Sequence, residues 1–169
     1  MTELSLWLDE YADIYSDFDS RHYLKRRISE DFLNELKTAL KYKDEKSDAL
    51  VLILPKEKRD YKDEILIIES LKNFFTQQLS FYKTKSSKKL QNGIGLLVTG
   101  LLIMVTNSFF TMLNKHNFML TTLKLVLEPA AWFLLWIGFD FLVYHFVDLN
   151  KEKRFFKTLS IMNIHFQSS

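Results

Sequence analysis

A carboxylate stands inside an otherwise oily stretch at Asp140, and it is the residue best placed to do chemistry. Trp132, Trp136, Asp140, Tyr144 and Asp148 recur at helical spacing, so on a helix they form one stripe. Burying a carboxylate within a membrane span costs about 3 kcal/mol or more, and such groups normally face protein or water rather than lipid. Asp140 has two uses. With His145 it would line an ion or proton path. Alternatively, protonated or hydrogen-bonded, it would hold helices together with Asn107, Thr106 or Ser108 as partner. Helix adhesion is the expectation, although Asp140 falls towards the cytosolic third of its segment and Asn107 towards the outer third of the other. Glu128 precedes Pro129, which suits the first turn of a helix and marks a kink or a restart after residues 118–127. The tryptophans read as packing or interface anchors rather than a ligand cage.

A second constellation is Asp17-Phe18-Asp19-Ser20-Arg21-His22-Tyr23. A metal ion is the sharper reading of Asp17, Asp19 and His22, but side chains two apart do not share a helix face and the ligands are too few. The expectation is a turn and cap, with Asp17, Asp19 and Arg21 as its polar residues. The histidines (His22, His116, His145 and His165) are dispersed. Phosphate-loop, H-E-x-x-H and G-x-S-x-G signatures are absent. No cysteine is present, which removes disulfides, thiol chemistry and cysteine metal sites. The expectation is a non-enzymatic protein without metal or cofactor. A net charge of +2 with 26 % charged residues gives no reason to expect nucleic acid as partner.

These residues must be positioned by two apolar segments. Residues 93–113 carry no charge, and at about 1.5 Å per residue such a helix matches a hydrocarbon layer about 30 Å thick. Residues 125–147 are as long. Lys83, Lys85, Lys88 and Lys89 precede the first segment, and Lys151, Lys153, Arg154 and Lys157 follow the second. The turn between them offers Lys115, with Lys124 at its edge. Basic residues favour the cytoplasmic side, so the pattern predicts a hairpin with both ends in the cytosol. Topological anchoring is preferred over a specific anionic-lipid site for these lysines. The acidic N-terminal stretch lacks the features of a secretory signal. Gly93, Gly95 and Gly100 would permit close helix packing, although their spacing is not G-x-x-x-G.

Outside the spans, Leu4, Trp7, Leu8, Tyr11, Ile14, Tyr15 and Phe18 follow helical spacing, and a helix over 3–18 is preferred. The alternation Leu4, Leu6, Leu8 would equally suit a short strand. Ser29 is an N-cap ahead of a helix with Phe32, Leu36 and Leu40 inward. Residues 50–54, closed by Pro55, form a buried strand. A helix from about Tyr61 runs towards the membrane, with a weak point at Ser86-Ser87. A lone strand cannot satisfy its backbone ladder. Residues 162–166, alternating Ile164 and Phe166 with polar neighbours, are therefore expected to pair with 50–54.

Asp17–Tyr23, Ser29–Leu33, Leu54-Pro55 and Ala131-Trp132-Phe133-Leu134-Leu135-Trp136 with Asp140 and Tyr144 together resemble a bacterial family of small two-span membrane proteins. That family carries an N-terminal D-x-D-P-x-P-[FY] motif and a second span reading G-W-x-x-x-W-R-P-x-E-x-x-x-Y. Here Ser20 and His22 stand at the proline positions, Ala131 at the glycine and Ile137-Gly138 at Arg-Pro, while Asp140 matches the acid and Tyr144 the tyrosine. The resemblance implies architecture and carries no activity.

The fold class expected is α+β, mostly α: a cytosolic module (1–82) with a short sheet (50–54 with 162–166), a basic segment (83–91), spans at 92–113 and 125–147, an external turn (114–124) and a returning tail (148–169). The functional expectation is an integral protein of the bacterial inner membrane, acting as an oligomeric interaction or scaffold protein. Its partners would be the bilayer and either further copies of itself or another membrane protein. The alternative is a channel or membrane-perturbing effector gated by the module.

Overall fold

The computed structural model describes residues 3–19, 21–22, 25–42, 47–113 and 118–169. Its elements are β1 (Glu3–Trp7), α1 (Glu30–Tyr42), β2 (Ala49–Leu54), α2 (Tyr61–Leu113), α3 (Phe118–Asp140), a π-helical turn (Phe141–His145), α4 (Phe146–Ile161) and β3 (Asn163–Ser168). The chain divides into two compact units, Met1–Ser80 with Lys153–Ser169, and Phe81–Glu152. The fold is mostly α with a small sheet, as the sequence implied.

In the first unit the sheet has the order β1-β2-β3 and is parallel throughout. The expected pairing is there, with Leu50 opposite Ile164 and Leu52 opposite Phe166. The expected helix over 3–18 is not. Glu3–Trp7 is a strand, its Leu4 opposite Leu50 and Leu6 opposite Leu52, and a short 3-10 turn follows at Tyr11–Ile14. The two-residue alternation prevailed because β2 offered a free edge, and pairing there buries Leu4 and Leu8. The ladder runs on past the strand, with Leu8 N–H donating to Ile53 O at 2.9 Å.

Stepping from β1 to β2 to β3 moves one way across the sheet, and right-handed crossovers stepping one way lay their helices on a single face. Burial follows that rule. Leu4, Leu50, Leu52, Leu54, Ile164 and Phe166 point into a core shared with Phe32, Leu36 and Leu40 of α1, Ile67, Leu71 and Phe75 of α2, and Phe156 and Leu159 of α4. Each such side chain contributes about 1.5–3 kcal/mol. On the other face the edge strands expose Glu3, Ser5, Trp7, Asn163, His165 and Gln167. Ser29 caps α1, its Oγ accepting from Asp31 N–H at 3.2 Å. Asp60 caps α2, its Oδ1 accepting from Lys62 N–H at 2.8 Å.

α2 is one continuous helix of 53 residues, and Ser86-Ser87 does not interrupt it. Phe118 already begins α3, so residues 118–124 of the expected external turn are helical, and Pro129 lies inside the helix rather than at its start. Two of the helices are long and apolar enough to cross a membrane, and only 11 % of each apolar window is buried within the protein. A core helix of a water-soluble protein would be mostly buried. Here Val98, Leu101, Leu102, Val105, Phe109, Val126 and Phe133 are all exposed. A contiguous apolar surface of that extent marks contact with lipid or another protein.

Candidate functional site

In the second unit α2 and α3 meet along a seam of small residues. A Cβ added to Gly138 would lie 2.7 Å from Leu97 Cγ and 3.1 Å from the Gly93 carbonyl oxygen. At Gly100 it would meet Ala131 O and Leu135 Cγ at 3.0 Å, and at Gly93 it would meet Leu142 Cδ2 and Phe141 Cβ at 3.2 Å. Gly93, Leu97 and Gly100 therefore face Ala131, Leu135, Gly138 and Leu142, each set falling on one side of its helix. Gly95 has open space around it and takes no part.

The seam fixes where Asp140 lies. Gly138 and Leu142 touch the first span at Gly93 and Leu97, so Asp140 is level with the first residues of the uncharged stretch rather than with its middle. Lys89 confirms the level, its Nζ lying 4.5 Å from the centre of the Phe141 ring. The seam also fixes which way Asp140 faces. Two residues beyond Gly138 is about 200° around a helix, so Asp140 looks away from α2. There it lines a concavity of about 220 Å³ with Trp136, Phe139, Val143 and Tyr144. Trp136, Phe139 and Tyr144 are 77 %, 58 % and 67 % exposed, while Asp140 is half-buried between them. The π-helical turn begins at the next residue, Phe141. Its i→i+5 bonding fits more residues into the turn than an α-helix does, and Tyr144 lines the same concavity as Asp140.

Helix adhesion through Asn107 is not what brings the spans together. Asn107 is two heptads along α2 from Gly93, roughly 20 Å, and so is remote from Asp140. It continues the seam face instead, where its Oδ1 is buried without a hydrogen-bond partner among the described residues. Thr106 bonds its own helix, Oγ1 donating to Leu102 O at 2.8 Å. Glu128 is exposed on α3. His145 closes the π turn. Among the basic residues Lys83, Lys88, Arg154 and Lys157 are exposed and Lys153 is half-buried. Lys85 lies over the Phe81 ring at 5.4 Å, and Lys151 donates to Asp148 Oδ1 at 3.1 Å. Lys115 and His116 lie outside the described residues.

In the first unit Asp19 gathers donors from Arg21 and Arg27 ahead of α1. Asp19 Oδ1 and Oδ2 accept from Arg21 Nε and Nη2, both at 2.8 Å, and Oδ2 also accepts from Arg27 N–H at 2.8 Å. The Arg21 guanidinium, aided by these backbone donors, holds the Asp19 carboxyl well below the usual carboxylate range. Asp19 thus works as a turn-and-cap residue. Asp17 is exposed, and Ser20 and Tyr23 lie outside the described residues. Among the described residues no cluster of three or more metal-ligating side chains occurs.

A polar clasp at the carboxyl ends of the strands escaped sequence reasoning. Arg59 grips the buried Glu64 with two bonds, Nε to Oε1 at 2.7 Å and Nη2 to Oε2 at 2.9 Å. It also donates to Ser168 Oγ at 2.9 Å and Phe166 O at 3.3 Å. Tyr11 completes the cluster, its hydroxyl donating to Glu64 Oε1 at 3.2 Å and accepting from Asp60 N–H at 2.8 Å. Its ring meets Phe166 edge-on at 5.6 Å. Burial, reinforced by the Glu64 charge, pushes the Tyr11 hydroxyl up to about 12. Every partner is engaged in tying the start of α2 and the turn after β1 to the end of β3, so the cluster reads as a fastening.

No protein-family model matches this chain, and no match is found among curated proteins or solved structures.

Proposed function

We propose that this chain is a non-enzymatic, membrane-anchored interaction protein. In this reading α2 and α3 cross the bacterial inner membrane as a hairpin, and the sheet-bearing unit recruits a partner in the cytosol. One observation carries it. β1 and β2 precede both apolar helices, β3 follows both, and the three form one parallel sheet. A sheet cannot pair through a bilayer, which supports an even number of crossings, with one unit holding the residues before and after the hairpin. The flanking lysines favour the cytosolic side for that unit.

The sheet also supports an interaction role. All-parallel sheets normally have both faces covered, and edge strands invite pairing. Here the edge strands leave Ser5, Trp7, His165 and Gln167 exposed on one face, which suits a further copy or a second protein. Conduction is the weaker reading, because Asp140 lies level with Gly93, at the edge of the uncharged stretch, and not at mid-span. The test is the mass of the assembly purified in nanodiscs. A homo-oligomer or a stoichiometric second protein is expected, and Trp7→Glu should disperse it. A lone protomer that pairs with nothing would overturn the interaction role.

A further inference from the structure

The concavity around Asp140 has a composition that neither helix packing nor anchoring requires. We propose that it binds the ammonium head group of a membrane lipid, of the ethanolamine type. The inference rests on the membrane reading above and assigns this face to lipid, leaving association of copies to the sheet.

An ammonium group is recognised by a carboxylate together with the faces of aromatic rings. Asp140 supplies the first; Trp136, Phe139 and Tyr144 supply the second. A volume of about 220 Å³ accepts a four-atom ethanolamine group, which needs roughly four times the 30 Å³ of a water. Depth points to a lipid. Asp140 is level with Gly93 and next to Phe141, on which Lys89 rests, and this is where the uncharged stretch gives way to lysines. The rest of the face points the same way. From Asp140 towards the far end of α3 the same side of the helix presents Trp136, Phe133 and Val126, the last two each 65 % exposed. A polar contact at the head-group boundary thus continues into an apolar track along which an acyl chain can lie. A lysine from another copy would pair with the Asp140 carboxylate equally well but would leave the track without a matching occupant. Anionic head groups would be repelled by Asp140 while remaining attracted to the neighbouring lysines, so selectivity rather than total lipid binding is the signature.

The experiment uses the full chain in nanodiscs of mixed phosphatidylethanolamine, phosphatidylglycerol and phosphatidylcholine. Native mass spectrometry then reads which lipids stay bound. The wild-type chain should retain phosphatidylethanolamine enriched about tenfold over its bulk share, and Asp140→Asn should abolish the enrichment. Trp136→Leu keeps apolar bulk but removes a ring face, and should reduce the enrichment several-fold. Gly95→Ala, at a position with open space, should leave it unchanged. Unchanged retention in both Asp140→Asn and Trp136→Leu would overturn the proposal. So would Asp140→Asn dissociating an oligomer without altering the lipids, because a second copy would then own the face. Displacement of the bound lipid by millimolar free ethanolamine would reassign the site to soluble amines. Failure of the chain to enter nanodiscs would remove the membrane reading and this site with it, an outcome separable from the others.

Discussion

The two units are held together in opposite ways. The sheet-bearing unit combines branched aliphatic side chains with a part-buried ion pair, in which Arg59 makes two bonds to the buried Glu64. The seam of the hairpin unit is built instead from the absence of side chains at Gly93, Gly100 and Gly138. On the proposed membrane reading, the contrast follows from solvent. In water, burying leucine and valine drives association, whereas in lipid it gains nothing and only close backbone approach and polar contacts remain. One chain therefore folds by two rules, and a substitution harmless in one unit is damaging in the other.

The largest effect is expected at the clasp. Arg59→Ala leaves Glu64 buried without its partner and should destabilise the sheet-bearing unit by about 3–5 kcal/mol. Chemical denaturation in detergent, followed by circular dichroism, would read it, and the hairpin should be indifferent. The converse is Gly138→Leu. It drives a side chain into Leu97 and the Gly93 carbonyl, and should cost about 1–3 kcal/mol of hairpin stability by overpacking. Unfolding in mixed micelles with SDS would measure it, with the sheet unaffected.

Tyr11→Phe sharpens the picture of the clasp. It strands Asp60 N–H and should cost about 1–2 kcal/mol. The Tyr11 hydroxyl is raised from 10.0 to about 12, so its contribution is complete below pH 10 and is lost as pH rises towards 12. Wild type should show an alkaline fall in stability over that window that the phenylalanine variant shows less. Smallest of all is Gly95→Ala, which meets open space and should change hairpin stability by less than about 0.5 kcal/mol. A large effect there would mean that the seam is not where Gly93, Gly100 and Gly138 place it.

Much of the architecture was legible in the sequence. Ser29 announced α1, Pro55 closed β2, and the polar alternation around Ile164 and Phe166 found its partner strand. What failed was local. Leu4, Leu6 and Leu8 fit a strand and a helix equally, and only the free edge of β2, a tertiary fact, decides between them. The clasp was hidden because residues 56–64 are almost all charged, and nothing in their composition reveals that Glu64 is buried. Apolar length gave the two long helices but not their register. The sequence placed Asp140 towards the cytosolic third of its segment, and the contacts of Gly138 with Leu97 set its level beside Gly93. The seven-residue interval between Gly93 and Gly100 was the available sign of the seam, since both fall on one helix face.

On the proposed topology, residues on both sides of the hairpin occupy one aqueous compartment. The chain has no cysteine, so single cysteines placed at the exposed positions Lys62 and Ser169 report it directly. Treated with a membrane-impermeant maleimide, both should stay unlabelled in intact cells and both should react once the membrane is opened. Labelling of one in intact cells while the other stays protected would contradict the shared sheet and the hairpin together.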